Sequence, residues 1–513
     1  MADHAPVKLV ELLLGPAGTD PHRVCVIADG RPWTRAEVGA AVGRCADDLL
    51  EQGLRPGQRV LALLDHDLRG ITFLAAASAL GLRVLMPYNL HAAAAAEWLT
   101  IAAAARPDAV VHLTRDRAAV PALREAGCRV VELGEGGPPA PRGGPGPRIH
   151  QPEPTAQFLI LFTSGTTGAP KAISVSEELV CRRVLSVTRA LDFDAGSRVF
   201  MSGLLNNTTG VIFAFGALHH DALLIVPTGR EIENWPAEVA RHGITHVMLR
   251  PVAMKRFVES AAAGGEDLSS LRTVAYGAAA MPRGLLEAGR ALMPCSWVQG
   301  YGLSETFGPF CWLDEAGHRD RRYRGEPYCV GRPDETVEVR LEPVAGHPGG
   351  VGEVLVRGPG LMEGYLDIAS GALTPPGDWL RTGDLASWSR HGDLLLKGRK
   401  AGALLSADGH RIYPEEVEAV LADVPGVDGA VVVGVAAGGP AERPVACISG
   451  ALAGCRPATV RDVVCRALGP VLSREKWPDL LYPVPAPLPT STNDKVMRAE
   501  IRRRIDVAAL IEL

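Results

Sequence analysis

The chain has 513 residues, with 53 Lys+Arg against 58 Asp+Glu for a formal net charge of −5, and it is 47% hydrophobic but only 5% aromatic. That length and apolar content point to more than one packed domain and argue against disorder over most of the chain, while the mild acidity carries no global pull toward nucleic acid or an anionic membrane. No stretch reaches the roughly eighteen uninterrupted apolar residues that span a bilayer, and the opening MADHAPVKLVELLLG is acidic where a signal peptide is basic, so a cytoplasmic protein without membrane or nucleic-acid partners is expected.

From the N-terminus, Thr34 and Glu37 have the spacing of a capping box. Val38, Val42, Cys45 and Leu49 then recur on one helical face, and Gly53 stands where a helix ends. Three short apolar runs follow, RVLALL (59–64), LRVLMP (82–87) and DAVVHL (108–113), which predict buried parallel strands separated by helices. The Gly/Pro-rich segment 134–148 predicts an exposed loop or linker. Strand-and-helix alternation resumes at 158 and continues to about 330, after which short strands and turns dominate, as at 351–360 and 392–400. Past 400 the pattern predicts a helix at 414–424, a strand at 430–435 and a helix at 458–468, a small α+β unit. The ten cysteines form no CxxC pair and no zinc-ligand spacing, which points to structural thiols in a reducing compartment. Lysine occurs only at positions 8, 171, 255, 397, 400, 476 and 495, every other cation being arginine, so each lysine invites a reason.

FLILFTSGTTGAPKAI (158–173) carries the most chemistry. An apolar strand runs into Thr163, Ser164, Gly165, Thr166, Thr167 and Gly168, then Lys171. Backbone amides in such a turn can close around phosphate oxygens, hydroxyls add short donors, and one lysine supplies charge. It lacks the GxxxxGK[ST] pattern of a Walker loop, and by composition alone a Ser/Thr/Gly surface turn is an equal alternative. The string resembles the signature loop of the adenylate-forming superfamily of acyl- and aryl-CoA ligases, luciferases and nonribosomal peptide synthetase adenylation domains. Further segments resemble the same family in order: VAYGAAAMP (274–282), VQGYGLSET (298–306), WLRTGDL (379–385), LLKGRK (395–400), GHRIYPEEVE (409–418) and LPTSTNDKVMR (488–498).

The resemblance implies an α/β protein with a large N-terminal adenylating domain of mixed sheets packed with helices (1–399) and a small, mobile α+β C-terminal domain (400–513). It implies that residues 163–168 and Lys171 hold the β- and γ-phosphates of ATP. Gly277, Ala278 and Ala279 form one adenine wall, and Tyr301, within Gln299, Gly300, Tyr301 and Gly302, stacks on the other side. Ser304 meets the α-phosphate and Glu305 holds Mg²⁺, an ion that needs only one or two carboxylates beside phosphate oxygens. Asp384 accepts from both ribose hydroxyls, Arg399 supports the ribose, and Lys495 is the catalytic cation between the acid and the α-phosphate.

This chain departs from the family pattern at several places. Counted from the motif arginine, the expected hinge is Ala401, or Lys400 after a one-residue shift, where relatives carry Asp or Lys. Asp494 precedes Lys495 where relatives carry Gly. Asn206 and Asn207 occupy a segment that is aromatic-His or His in many relatives, Arg250 stands where Pro is frequent, and with Tyr276 these residues are expected to line the acid pocket. Amides there fit a small or polar acid. The expected function is activation of a small organic, for example aryl, carboxylate as its acyl-adenylate, followed by transfer to CoA or to the phosphopantetheine of a separate acyl-carrier protein. The alternatives are the same adenylate chemistry with a non-thiol acceptor, as in an amine ligase or a nitrite-activating diazotase, and a noncatalytic nucleotide-binding scaffold.

Overall fold

The structure, a computed structural model, describes residues 8–15, 18–87, 95–113, 117–133, 157–163, 171–227, 229, 231–319, 329–344, 350–406, 408, 410–436, 442–490 and 496–513. The three apolar runs of the first third become parallel neighbours: Arg59–Leu63 lies between Arg83–Met86 and Ala109–His112, with Val60 opposite both Val84 and Ala109. Their side chains are buried on both faces, which is why these strands read as continuous rather than alternating apolar runs. They belong to an eight-stranded sheet that continues through Gln157–Thr163 and Lys171–Ser176 to Gly364–Leu366. A nine-stranded sheet runs from Arg332–Pro333 through Gly308–Leu313, Ser296–Leu303 and Thr273–Gly277 to the N-terminal hairpin Val24–Ala28 and Arg31–Thr34.

Helices Leu68–Leu80, Glu177–Ala190 and Thr208–His219 share one hydrophobic core with strands of both large sheets. The capping box is formed: the Glu37 amide donates to the Thr34 hydroxyl at 3.2 Å and the Thr34 amide to the Glu37 carboxylate at 2.8 Å. Helix Arg35–Glu51 then ends two residues before Gly53, whose φ of +77° only glycine adopts cheaply.

Glu338–Pro343, Gly352–Arg357, Leu380–Trp388 and Leu394–Arg399 form a four-stranded antiparallel sheet. Beyond residue 400, helices Pro414–Ala422 and Pro457–Leu468 pack with the strands Gly429–Ala436, Glu442–Ser449 and Leu480–Pro483 around clusters drawn from that part of the chain alone. The predicted loop at 134–148 lies outside the described residues. All ten cysteines are free thiols, and among the described residues no helix is long and apolar enough to cross a membrane.

Candidate active site

The antiparallel strands Gln157–Thr163 and Lys171–Ser176 bring Thr163 opposite Lys171 at the mouth of the Ser/Thr/Gly loop. Ser164, Gly165, Thr166, Thr167 and Gly168 themselves lie outside the described residues. The Lys171 ammonium sits over the ring of Tyr365, 5.3 Å from its centre. The Tyr365 hydroxyl donates to Glu305 Oε1 at 3.1 Å, and the Met362 amide donates to the Glu305 carbonyl at 2.8 Å. Glu305 is half-buried, and among the described residues Tyr365 is the donor to its carboxylate. No group of three or more His, Cys, Asp or Glu able to hold a metal occurs among the described residues. A lone hard carboxylate suits Mg²⁺ shared with phosphate oxygens and does not suit a protein-enclosed transition metal.

Parallel pairing of Thr273–Gly277 with Ser296–Leu303 sets Tyr276 beside Gln299 and Gly277 beside Gly300. A Cβ on Gly277 would collide with the Gly300 carbonyl oxygen, so the close strand approach requires glycine here. The chain leaves this strand through Ala278, whose φ of +65° is costly for a residue with a Cβ, and Ala278 and Ala279 are exposed. Gly302 meets the turn back into Gly308–Leu313, where its Cβ would strike the Gly308 carbonyl.

Between Gly300 and Gly302, Tyr301 packs edge-on against Phe310 at 5.1 Å and donates its hydroxyl to Asp384 Oδ2 at 2.7 Å. Asp384 lies directly opposite Arg399 in the antiparallel pair, and the Arg399 Nε reaches Asp384 Oδ1 at 2.8 Å. Arg399 Nη1 also donates to the Thr382 carbonyl at 3.1 Å, and the Asp384 amide donates to the Thr382 hydroxyl at 3.0 Å. Burial pushes the Asp384 carboxyl up, outweighing the Arg399 charge and the Tyr301 hydrogen bond. Burial, with the neighbouring Asp384 charge, likewise keeps the Tyr301 phenol well above its ordinary range. A carboxylate offers about four acceptor positions, so each Asp384 oxygen has capacity for a further donor such as a ribose hydroxyl.

Ser304 and Glu305 lie on a 3₁₀ turn, Ser304–Thr306, that Phe307 closes with φ +48°. The buried Thr306 hydroxyl accepts from the Leu303 amide at 3.0 Å and donates to the Gly308 carbonyl at 2.7 Å. Beneath the turn the fully buried Arg183 donates from Nε to the Thr306 carbonyl at 2.8 Å and pairs through Nη1 with Asp334 at 3.0 Å. Motif reading missed Arg183 and Asp334. Arg183 carried a signal, since it interrupts the buried stripe of helix Glu177–Ala190 among Val180, Val184 and Val187, and an arginine there demands a partner.

The residues expected around the acid pocket have separate fates. Asn206 is buried and donates to the Pro87 carbonyl at 3.2 Å. Asn207 caps helix Thr208–His219, its side chain accepting from the Gly210 amide at 3.2 Å. Arg250 is the N-terminal flank of helix Pro251–Gly264 and is half-buried. Tyr276 is buried, its hydroxyl 3.2 Å from Gln299 Oε1 and 2.9 Å from His318 Nε2, a histidine that no motif marked.

At the expected hinge, Lys400 and Ala401 lie on the short turn Lys400–Gly402. Lys400 Nζ pairs with Glu353 at 2.8 Å, and Arg381 reaches the same oxygen at 2.8 Å. Burial pushes Glu353 up, but the hydrogen bonds and charges of Lys400 and Arg381 outweigh it and hold it below the usual range. Asp494 and Lys495 lie outside the described residues, and Thr490 and Val496 on either side form an antiparallel bridge.

Comparison with known proteins identifies the family and the fold. The family described as AMP-binding enzyme matches residues 16–366. An indoleacetate–CoA ligase from Aromatoleum aromaticum is 28% identical over 452 residues, 83% of this chain and 85% of the relative. A fatty acid–[acyl-carrier-protein] ligase, ScoC from Streptomyces coeruleorubidus, is 27% identical over 81% of each chain. The solved amide bond synthetase McbA from Marinactinospora thermotolerans superposes with a TM-score of 0.80 at 26% identity, covering 96% of this chain and 98% of that one. The chain thus belongs to the AMP-binding enzyme family and is an AMP-forming ligase that works through an adenylate.

Proposed function

We propose that this ligase condenses a small organic carboxylic acid with ATP, releasing pyrophosphate, and passes the acyl group of the adenylate to the thiol of CoA or of a carrier protein's phosphopantetheine. The observation that carries this reading is the meeting of Tyr301, Asp384 and Arg399 at one point, while Lys171, Tyr365 and Glu305 meet at another. The first trio suits a nucleoside: Tyr301 and the Gly277, Ala278 and Ala279 edge flank the adenine, and Asp384 with Arg399 receives the ribose. The second suits its phosphates: Lys171 and the loop 163–168 hold the β- and γ-phosphates, Ser304 donates to the α-phosphate, and Glu305 holds Mg²⁺. Bound there, that ion neutralises phosphate charge. The acid's carboxylate oxygen attacks the α-phosphorus, pyrophosphate leaves, and Lys495 offsets the negative charge that gathers between them.

In this reading residues 400–513 form a separate small domain, which Lys400 and Ala401 join to the large one. An amine acceptor in place of the thiol is the second reading. It draws support from the likeness to an amide bond synthetase and from the uncharged Ala401, whose neighbour Lys400 is held by Glu353. ATP–pyrophosphate exchange across a panel of acids, nitrite included, tests the first half-reaction, and Lys495→Ala should slow exchange far more than it weakens ATP binding. Retained ATP binding with no exchange for any acid would instead identify a scaffold. The mass of the product formed with CoA, a holo-carrier protein and an amine in competition identifies the acceptor.

A further inference from the structure

Glu305 lies on the turn that links two strands of the nine-stranded sheet, Lys171 on a strand of the eight-stranded one, and Tyr365 touches both. Strand Gly364–Leu366 pairs antiparallel with Lys171–Ser176 so that Tyr365 stands opposite Ile173, two residues from Lys171. Side chains two apart share a face of the sheet, and diagonal neighbours lie within reach of an aromatic ring. The register therefore delivers the Lys171 ammonium to the ring of Tyr365, 5.3 Å from its centre. The same phenol extends to Glu305 Oε1 at 3.1 Å, and the chain just before it holds the Glu305 backbone through the Met362 amide at 2.8 Å. A phenol hydroxyl has one proton to donate, so its hydrogen bond selects one orientation of the carboxylate.

We propose that Tyr365 is a positioning residue that sets the Glu305 carboxylate and the Lys171 ammonium in one fixed relation, so that the metal-holding oxygen and the phosphate-loop cation are presented to ATP together. This inference rests on the functional reading above, in which Glu305 and Lys171 face the nucleotide's phosphates. Neither element achieves the relation alone, because the turn Ser304–Thr306 links strands of the nine-stranded sheet while Lys171 lies on a strand of the eight-stranded one.

The test is calorimetric titration of the full-length protein with ATP, in EDTA and at several Mg²⁺ concentrations, without any acid. Tyr365→Phe keeps the ring and removes the hydroxyl. It should leave ATP affinity in EDTA unchanged and reduce the gain in affinity that Mg²⁺ confers by about 10- to 150-fold, the value of a hydrogen bond to a charged group. Tyr365→Leu also removes the ring, and should weaken ATP binding in EDTA by a further 2- to 5-fold, as expected for an exposed cation–π contact. A general structural role would lower the melting temperature and both affinities together, and that result overturns the proposal. So does a Tyr365→Phe protein whose Mg²⁺ gain equals the wild type's. If Tyr365→Leu fails to fold, the Tyr365→Phe comparison decides alone. Wild-type protein that binds no ATP with or without Mg²⁺ would overturn the functional reading itself, an outcome distinct from an unchanged gain.

Discussion

Tyr301 and Asp384, 83 residues apart in the chain, meet at 2.7 Å where the nine-stranded sheet adjoins the smaller antiparallel one. The contact leaves the Asp384 carboxylate shared between a neutral donor and the Arg399 cation, and in the proposed function it closes one end of the nucleotide site.

Tyr301→Phe keeps the ring and deletes that donor. With Asp384 buried, the ligand-free protein should lose about 1–3 kcal/mol in urea unfolding. A ribose hydroxyl can replace the missing donor, so saturating MgATP should raise the melting temperature of the variant more than that of the wild type. Equal ligand-free stabilities would mean that the hydrogen bond contributes nothing.

Arg183→Met removes the cation beneath the Ser304–Thr306 turn and leaves the largely buried Asp334 carboxylate without its counter-charge, held by the neutral donors Ser186, Trp312 and Thr336. The expected loss is about 3–5 kcal/mol, and adding Asp334→Asn should recover part of it because the stranded charge is gone. Equilibrium denaturation of the single and double variants measures both values. A double variant no more stable than Arg183→Met would place the cost in the lost carbonyl contacts instead.

Glu315 makes a pH-dependent contribution to stability. Burial pushes its carboxyl up, but hydrogen bonds from Arg290, Arg319 and the Trp297 amide outweigh this and hold it at about 2. Its folded value lies below the unfolded one near 4.5, so the stability it contributes is present above that pH and is lost as pH falls toward 2. Glu315→Gln should cost on the order of 1–3 kcal/mol at pH 7. The gap from wild type should narrow steadily below pH 4.5. A gap independent of pH would remove the ion pairs from the explanation.

Helix Arg283–Leu292 has no side-chain cap of its own, since Pro282 precedes it. Asp423 supplies one from more than a hundred residues away, accepting from the Gly284 amide at 2.8 Å and the Arg283 amide at 3.1 Å. Asp423→Ala should therefore cost about 1 kcal/mol of local protection, seen as roughly fivefold faster hydrogen exchange at the Gly284 amide. Unchanged exchange there would show that the contact does not persist in solution.

The sequence alone determined what is written locally. Apolar runs free of alternation identified the parallel strands around Arg59–Leu63, and the Thr34 and Glu37 spacing marked a helix start that the structure contains. The ordered motifs identified the family and picked out Tyr301, Glu305, Asp384 and Arg399, three of which converge in one hydrogen-bonded group. Asn207 was legible in a different sense: an Asn before Thr208, Thr209 and an apolar run is a helix-cap signal, and the structure uses it so, whereas family comparison drew attention to the pocket. Only the tertiary structure decided which partners meet. Tyr365 with Glu305, Arg183 with Thr306 and Asp423 with Gly284 are each separated by tens of residues or more, and sheet register and helix packing bring them together. Local propensity acts over a few residues and motif chemistry names single side chains, while the distance between two of them is set by burial of whole elements against one another.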